Sequence, residues 1–186
     1  MYADLYEQLD ALLERDGPVL VAIDGYCASG KTTLAQKLSE KYDCNVFHMD
    51  DFFLQPQQRT PERFAQPGGN VDYERFHQEV LQSLRRGTTF SYRCFDCSQM
   101  QMGDTITVQP KKLNIIEGSY SQHPYFGDVY DCRVFLTISE VTQRERILQR
   151  PAFLHQRFFE EWIPMEQQYF ETFSIGPQSH LILTSE

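Results

Sequence analysis

No apolar run in this 186-residue chain approaches the roughly 20 residues that a membrane-spanning helix requires. The opening Met1-Tyr2-Ala3-Asp4-Leu5 has neither the basic nor the apolar region of a secretory signal. Both absences point to the cytoplasm and to no membrane partner. Positive charge is scarce as well: 17 Lys and Arg face 26 Asp and Glu, a formal net charge of −9. With no basic stripe to neutralise phosphates, the balance argues against general nucleic-acid binding. An anionic ligand would have to be drawn by local positive groups, not by the surface as a whole. Repeats and low-complexity tracts are also missing, and 186 residues suit a single domain with its own core. Cysteine is sparse: Cys27, Cys44, Cys94, Cys97 and Cys132 make an odd count, which suits reduced thiols. Cys94 and Cys97 have CxxC spacing, but no second pair or His-x₃₋₅-His partner exists to complete a zinc site.

What is present is a glycine loop. Gly25-Tyr26-Cys27-Ala28-Ser29-Gly30-Lys31-Thr32 has the full spacing of a phosphate-binding P-loop. Before it runs the apolar Val19-Leu20-Val21-Ala22-Ile23-Asp24, which reads as a buried strand. After it, Thr33 to Lys41 carries apolar residues at helical spacing with no breaker. Strand, loop and helix are the context the motif needs. Glycines let the backbone curl so that its N–H groups face phosphate oxygens, and the helix N-terminus adds partial positive charge. Gly25, Ala28, Ser29, Gly30, Lys31, Thr32 and Thr33 are therefore the expected nucleotide-binding residues. Lys31 would reach the β- and γ-phosphates and Thr32 would hold Mg²⁺. Cys27 lies inside the loop, where alkylation would block nucleotide entry.

Reading onward, Asp4 to about Glu14 predicts a helix, and Asn45 to Met49 a short strand running into Asp50-Asp51-Phe52-Phe53. Gln55 to Asn70 is rich in Gln, Pro and Gly and too long for a simple connector, so it reads as a substrate-side loop. Tyr73 to Arg86 returns to helical periodicity. Thr88–Cys97 and Thr105–Gln109 look like a hairpin outside the main sheet. Leu113-Asn114-Ile115-Ile116-Glu117 and Arg133 to Ile138 are core strands, Glu140 to Arg150 a charged helix, and Phe153 to Phe173 a helical region broken at Pro164. Leu181-Ile182-Leu183 closes the set. Alternating strands and helices predict an α/β fold of three layers with a mostly parallel sheet of about five strands. One domain, 1–186, would carry a substrate-side insertion at about 54–110 and a helical lid at about 143–172. Ligands in such sheets collect beyond the strands' carboxyl ends, where the glycine loop, Asp50-Asp51 and Glu117 all fall.

A guanine-reading Asn-Lys-x-Asp is missing, and so is a transporter-ATPase signature. The remaining residues suit γ-phosphoryl transfer to a hydroxyl. Asp50 or Asp51 would hold the hydroxyl and take its proton, though such a pair also serves as a helix cap. As neighbours on an extended segment the two would point opposite ways. Glu117 would contact Mg²⁺, or be a loop acid without a metal role. Arg144, Arg146 and Arg150 lie on one predicted helix, positioned to close over the triphosphate or to pair with Glu140 and Glu145 on a solvated face.

The pieces Gly25 to Thr33, His48-Met49-Asp50-Asp51-Phe52-Phe53, Asn70-Val71-Asp72-Tyr73, Ile115-Ile116-Glu117-Gly118 and the arginine-rich helix resemble the phosphoribulokinase/uridine kinase family of P-loop kinases. The resemblance runs from Val19 to about Phe173. It implies a P-loop NTPase fold, ATP and Mg²⁺ as cofactors, and a small nucleoside or vitamin-like acceptor. It makes Asp50 the base and Lys31, Arg146 and Arg150 its catalytic company. Thr32 and Glu117 become metal ligands, and Asp72 the residue that grips the sugar. Tyr92 and Asp96 would help to hold the nucleoside base, with Phe53 and Arg144 also on the acceptor side. Asp51 stands where uridine kinases carry serine, and Asp-Asp-Phe-Phe is the form of nicotinamide riboside kinases. The His and Arg that follow the base-holding segment in uridine kinases have no counterpart around Ser98-Gln99-Met100. Uridine, nicotinamide riboside and pantothenate thus stand as acceptor types. A nucleotide-binding regulatory module without a small acceptor is the reading from another class.

Overall fold

A computed structural model describes residues 2–185. Helix α1 (Ala3–Leu13) buries Leu5 and Leu9, four residues apart on one face. Strand β1 (Val19–Gly25) is buried at every position, as its unbroken apolar run requires. Then come α2 (Lys31–Lys41) and β2 (Cys44–His48). The expected substrate-side loop contains a 3₁₀ turn (Pro56–Gln58) and the short α3 (Pro61–Phe64), capped by Thr60. Helix α4 (Tyr73–Phe76), a π turn (His77–Leu81) and α5 (Gln82–Arg86) form one continuous helical stretch that buries Phe76, Val80, Leu81 and Leu84. Strands β3 (Phe90–Asp96) and β4 (Gln101–Val108) pair antiparallel as the expected hairpin, the second starting earlier than its sequence suggests. The chain goes on through β5 (Leu113–Glu117), β6 (Cys132–Ile138), α6 (Glu140–Leu148), α7 (His155–Arg157), α8 (Ile163–Thr172), α9 (Ile175–Gln178) and β7 (Leu181–Ser185).

The main sheet has the order β2-β5-β1-β6-β7 and is parallel throughout. Its central strand divides the core by simple alternation. Val19, Val21 and Ile23 pack with α1 and α2, while Leu20 and Ala22 face Phe47, Phe52, Phe76 and Tyr169 on the other side. Three layers follow from that period of two. Register then sets the site: Ile23 and His48 both lie opposite Glu117, so β1, β2 and β5 end level with one another.

Three local features differ from expectation. Met49–Phe52 is a 3₁₀ turn, not an extended segment. Helix α6 stops at Leu148 because Pro151 disfavours helical backbone in its predecessor, leaving Arg150 beyond the helix. The helical region does not break at Pro164. That proline sits in the first turn of α8, and the π turn Phe158–Trp162 before it leaves room for a ring without an N–H. Among the described residues no helix is long and apolar enough to cross a membrane.

Candidate active site

Strand β1 hands the chain to the glycine loop through Gly25. Its φ is +137°, and a Cβ there would lie 2.2 Å from the Leu136 carbonyl oxygen, so only glycine fits. Gly30, at φ +90°, makes the left-handed turn that starts α2. Helix α6 reaches over the loop from above. Gln143 Nε2 donates to the Cys27 carbonyl at 3.0 Å, and Arg146 Nη1 donates to that of Ala28 at 3.1 Å. A carbonyl held on one side turns the next N–H to the other, which orients the Ala28 N–H away from α6. The first turn of α2 supplies further N–H groups that have no carbonyl of their own. The Ser29 hydroxyl is buried in the same loop and has no hydrogen-bond partner among the described residues. Lys31 Nζ is folded back, donating to the carbonyls of Gly25 at 2.7 Å and Tyr26 at 3.0 Å. An orphaned hydroxyl, open N–H groups and a lysine make a cradle that fits a phosphate chain.

Acids stand around this cradle. Glu117 is nearly buried, and its Oε1 accepts from Thr32 Oγ1 at 3.1 Å and meets His48 Nδ1 at 2.5 Å. That hydrogen bond raises the His48 pKa above the ordinary imidazole value. No group of three or more His, Cys, Asp or Glu suited to a metal exists among the described residues. One hydroxyl and one carboxylate fit Mg²⁺, which takes few protein ligands and completes its shell from phosphates and water. Asp50 lines the cleft and makes no hydrogen bond or ion pair among the described residues. Burial pushes its carboxyl up, Glu117 adds to the rise, and Lys31 opposes it. Asp51 turns away, 3.5 Å from the Tyr92 hydroxyl.

The cleft measures about 1430 Å³. One wall is the loop from Cys27 to Thr33 with Asp50, Phe53, Asn70 and Glu117. The other is Arg146, Arg150, Phe153, Arg157 and Glu166 from the lid. Ordinary ligand pockets occupy roughly 300–1,000 Å³, so this one has room for two molecules.

No family model matches the chain. A uridine kinase from Shewanella frigidimarina is 26% identical over 132 residues, covering 63% of this chain and 61% of that enzyme. The chain thus spans about three-fifths of the length of this curated relative. The structure of a possible uridine kinase from Bacillus stearothermophilus superposes with a TM-score of 0.70 at 21% identity, covering 97% of this chain and 99% of that one. In sequence and in fold, this chain resembles the uridine kinases. The D-glycerate 3-kinase of Cryptococcus neoformans shares the fold at a TM-score of 0.64 and 14% identity, covering 92% of this chain and 87% of that one. The architecture is the three-layer α/β/α fold of P-loop kinases.

Against the uridine kinase-like pattern, the expected residues divide. Lys31, Thr32, Thr33, Ala28, Ser29, Gly30, Asp50, Phe53, Glu117, Arg146 and Arg150 meet at the cleft, and Gly25 shapes the loop beneath it. Four others are not brought there. Asp72 caps α4 by accepting from the Arg75 N–H at 3.1 Å, and pairs with Arg75 Nε at 3.4 Å. Tyr92 is packed between Phe47 and Phe52 in the core. Asp96 ties the hairpin turn by accepting from Ser98 and Gln99. Arg144 is exposed over the Phe159 ring. The Cys27 thiol lines the cleft, but burial and Glu166 push its pKa up to about 11, so it stays protonated and slow to alkylate.

Sequence reasoning missed two acids. Glu166 on α8 is buried, accepting from the Cys27 N–H at 2.8 Å and from Ser119 Oγ at 2.5 Å. Burial raises its pKa, with Lys31 pulling the other way. Asp24, the buried penultimate residue of β1, accepts from Gly25 N, Tyr120 N, Gln122 N and the Tyr169 hydroxyl. Only an acid at a buried strand end, beside Gly25, could have flagged Asp24. Nothing local flags Glu166.

Proposed function

We propose that this chain is an ATP-dependent kinase that moves the γ-phosphoryl group of ATP onto a hydroxyl of a small acceptor. The observation that carries the reading is Asp50. Its carboxylate, which makes no hydrogen bond or ion pair among the described residues, shares one cleft with Lys31, Ser29 and the N-terminus of α2.

Lys31 exchanges its two loop carbonyls for β- and γ-phosphate oxygens, and the Ser29 hydroxyl and loop N–H groups take others. Mg²⁺, held by Thr32 and Glu117, supplies charge neutralisation on the phosphates when bound. Asp50 aligns the acceptor hydroxyl and receives its proton as that oxygen bonds to phosphorus and ADP leaves. Arg146 and Arg150, at the lid side of the cleft, approach the transferring group as the lid closes and water is excluded. A cytoplasmic setting, where ATP is supplied, suits this chemistry. The resemblance makes a nucleoside such as uridine the first acceptor to test, with nicotinamide riboside and pantothenate beside it. A nucleotide-operated module would need no free carboxylate in a cleft of this size, and nothing in the site favours that alternative.

Asp50→Asn tests the reading. Turnover should fall on the order of 10²–10⁴-fold, while affinity for a non-hydrolysable ATP analogue measured by calorimetry stays near wild type. Turnover close to wild type would remove Asp50 from the role of base.

A further inference from the structure

Resting on the kinase reading above, we infer that the acceptor carries an anionic group, a carboxylate or a phosphate, that Arg59 binds while Asp50 holds the hydroxyl. Two independent observations lead there.

The first is that the side chains suited to clasping a neutral nucleoside are engaged elsewhere. Tyr92 is 4% exposed, its ring centroid 5.4 Å from that of Phe52 and 5.9 Å from that of Phe47. It offers no face for a base to stack on. Asp72 is bound to Arg75, and Asp96 is spent on the hairpin turn. None of the three lines the cleft.

The second is a cation without an acid. Arg59, in the substrate-side loop, lines the cleft and makes no ion pair among the described residues. Its guanidinium lies 5.3 Å from the centroid of the Phe64 ring, which orients the group without cancelling its charge. Cys97, at the hairpin tip, lies within electrostatic reach of Arg59, Arg157 and Asp50 together. Arg59 and Asp50 line the same cleft, and neither belongs to the glycine loop. Arg157 is already tied to Glu161 at 3.2 Å, so of these two arginines only Arg59 has no ion pair among the described residues. In a chain of net charge −9, acids to neutralise it are plentiful, yet none does. A guanidinium fork matches two oxygens of a carboxylate or phosphate at once.

The test is an ADP-release assay on the full chain with Mg²⁺ and ATP. Glycerate and pantothenate probe the carboxylate, and fructose 1-phosphate the phosphate. Fructose, uridine and cytidine serve as neutral acceptors. An anionic acceptor should be used at lower KM than the neutral ones. Arg59→Ala should raise that KM roughly 10- to 100-fold, as loss of a charged hydrogen bond does, with the KM for ATP unchanged. Arg59→Lys should recover part of the loss. A second readout needs no acceptor. With the glycine loop filled by a non-hydrolysable ATP analogue, sulfate should still bind to the wild type and not to Arg59→Ala. Preference for a neutral nucleoside, a rise in the KM for ATP in Arg59→Ala, or no Arg59-dependent sulfate binding would each overturn the inference. Analogue binding together with turnover of a neutral acceptor would overturn it while leaving the kinase reading in place. Loss of analogue binding would strike the kinase reading itself.

Discussion

Asp24 has no exposed surface and four hydrogen-bond donors, and its pKa is nonetheless pushed up to about 6. Burial is the larger influence, because the four donors offset only part of the cost of taking a charge out of water. A carboxyl whose folded pKa lies above its unfolded value of 3.8 binds protons more tightly in the native state. Its contribution to stability is therefore fully present below pH 4, is lost as pH rises toward 6, and is flat above that. The difference in pKa corresponds to about 3 kcal/mol. Urea unfolding of the wild type and of Asp24→Asn, compared from pH 4 to 7, should show the wild type losing about that much relative to the variant as pH rises. Parallel curves would mean that Asp24 is ionised throughout the range. Such a residue is hard to find from sequence. Its partners Tyr120, Gln122 and Tyr169 lie 96 to 145 positions away. Asp50 was easier, because a carboxylate following a strand end in a parallel sheet is already at the ligand edge.

At the scale of elements, α6 and α8 hold the glycine loop from outside: Gln143 and Arg146 grip two carbonyls, and Glu166 grips one N–H. Removing Glu166 would leave the Cys27 N–H without its acceptor, and Ser119 without its 2.5 Å bond, at a cost of about 1–3 kcal/mol. Glu166→Ala should lower stability by that amount in urea and weaken binding of an ATP analogue, since the loop loses its fixed shape. Glu166→Gln keeps an oxygen for Cys27 and an amide for Ser119, so it should stay near wild type in stability. If Gln proved as damaging as Ala, the charge and not the hydrogen bonds would be what the loop requires. Elements built from a single period were legible in the sequence: Leu5 and Leu9 on α1, the apolar run of β1, the alternating hairpin. The π turn ahead of Pro164 and the 3₁₀ turn at Met49–Phe52 were not. Each is a compromise between a local preference and the packing of its neighbours, and a pattern of apolar residues does not record that compromise.

For the molecule as a whole, the parallel order β2-β5-β1-β6-β7 brings body and lid against one cleft, although their residues come from opposite ends of the chain. The layers and the glycine loop were predictable because both are local signals repeated along the chain. The acceptor side was not, because its geometry depends on how the loop from Gln55 to Asn70, the hairpin and the lid settle against one another. Filling the cleft should therefore stabilise the whole fold, since the nucleotide would touch Lys31 on the body and Arg146 and Arg150 on the lid. A ligand that binds only the native state at 100 times its Kd adds about 2.7 kcal/mol. For a chain of this length that corresponds to a rise in Tm of roughly 5–10 °C. A non-hydrolysable ATP analogue with Mg²⁺ should produce that rise in the wild type, and Lys31→Ala should abolish most of it. Asp50→Asn should keep it if, as proposed, Asp50 serves the acceptor and not the phosphate chain. An equal rise in Lys31→Ala would place the nucleotide outside the glycine loop. A rise lost in Asp50→Asn would mean that this carboxylate serves nucleotide binding, and the division of the cleft into a donor half and an acceptor half would fall with it.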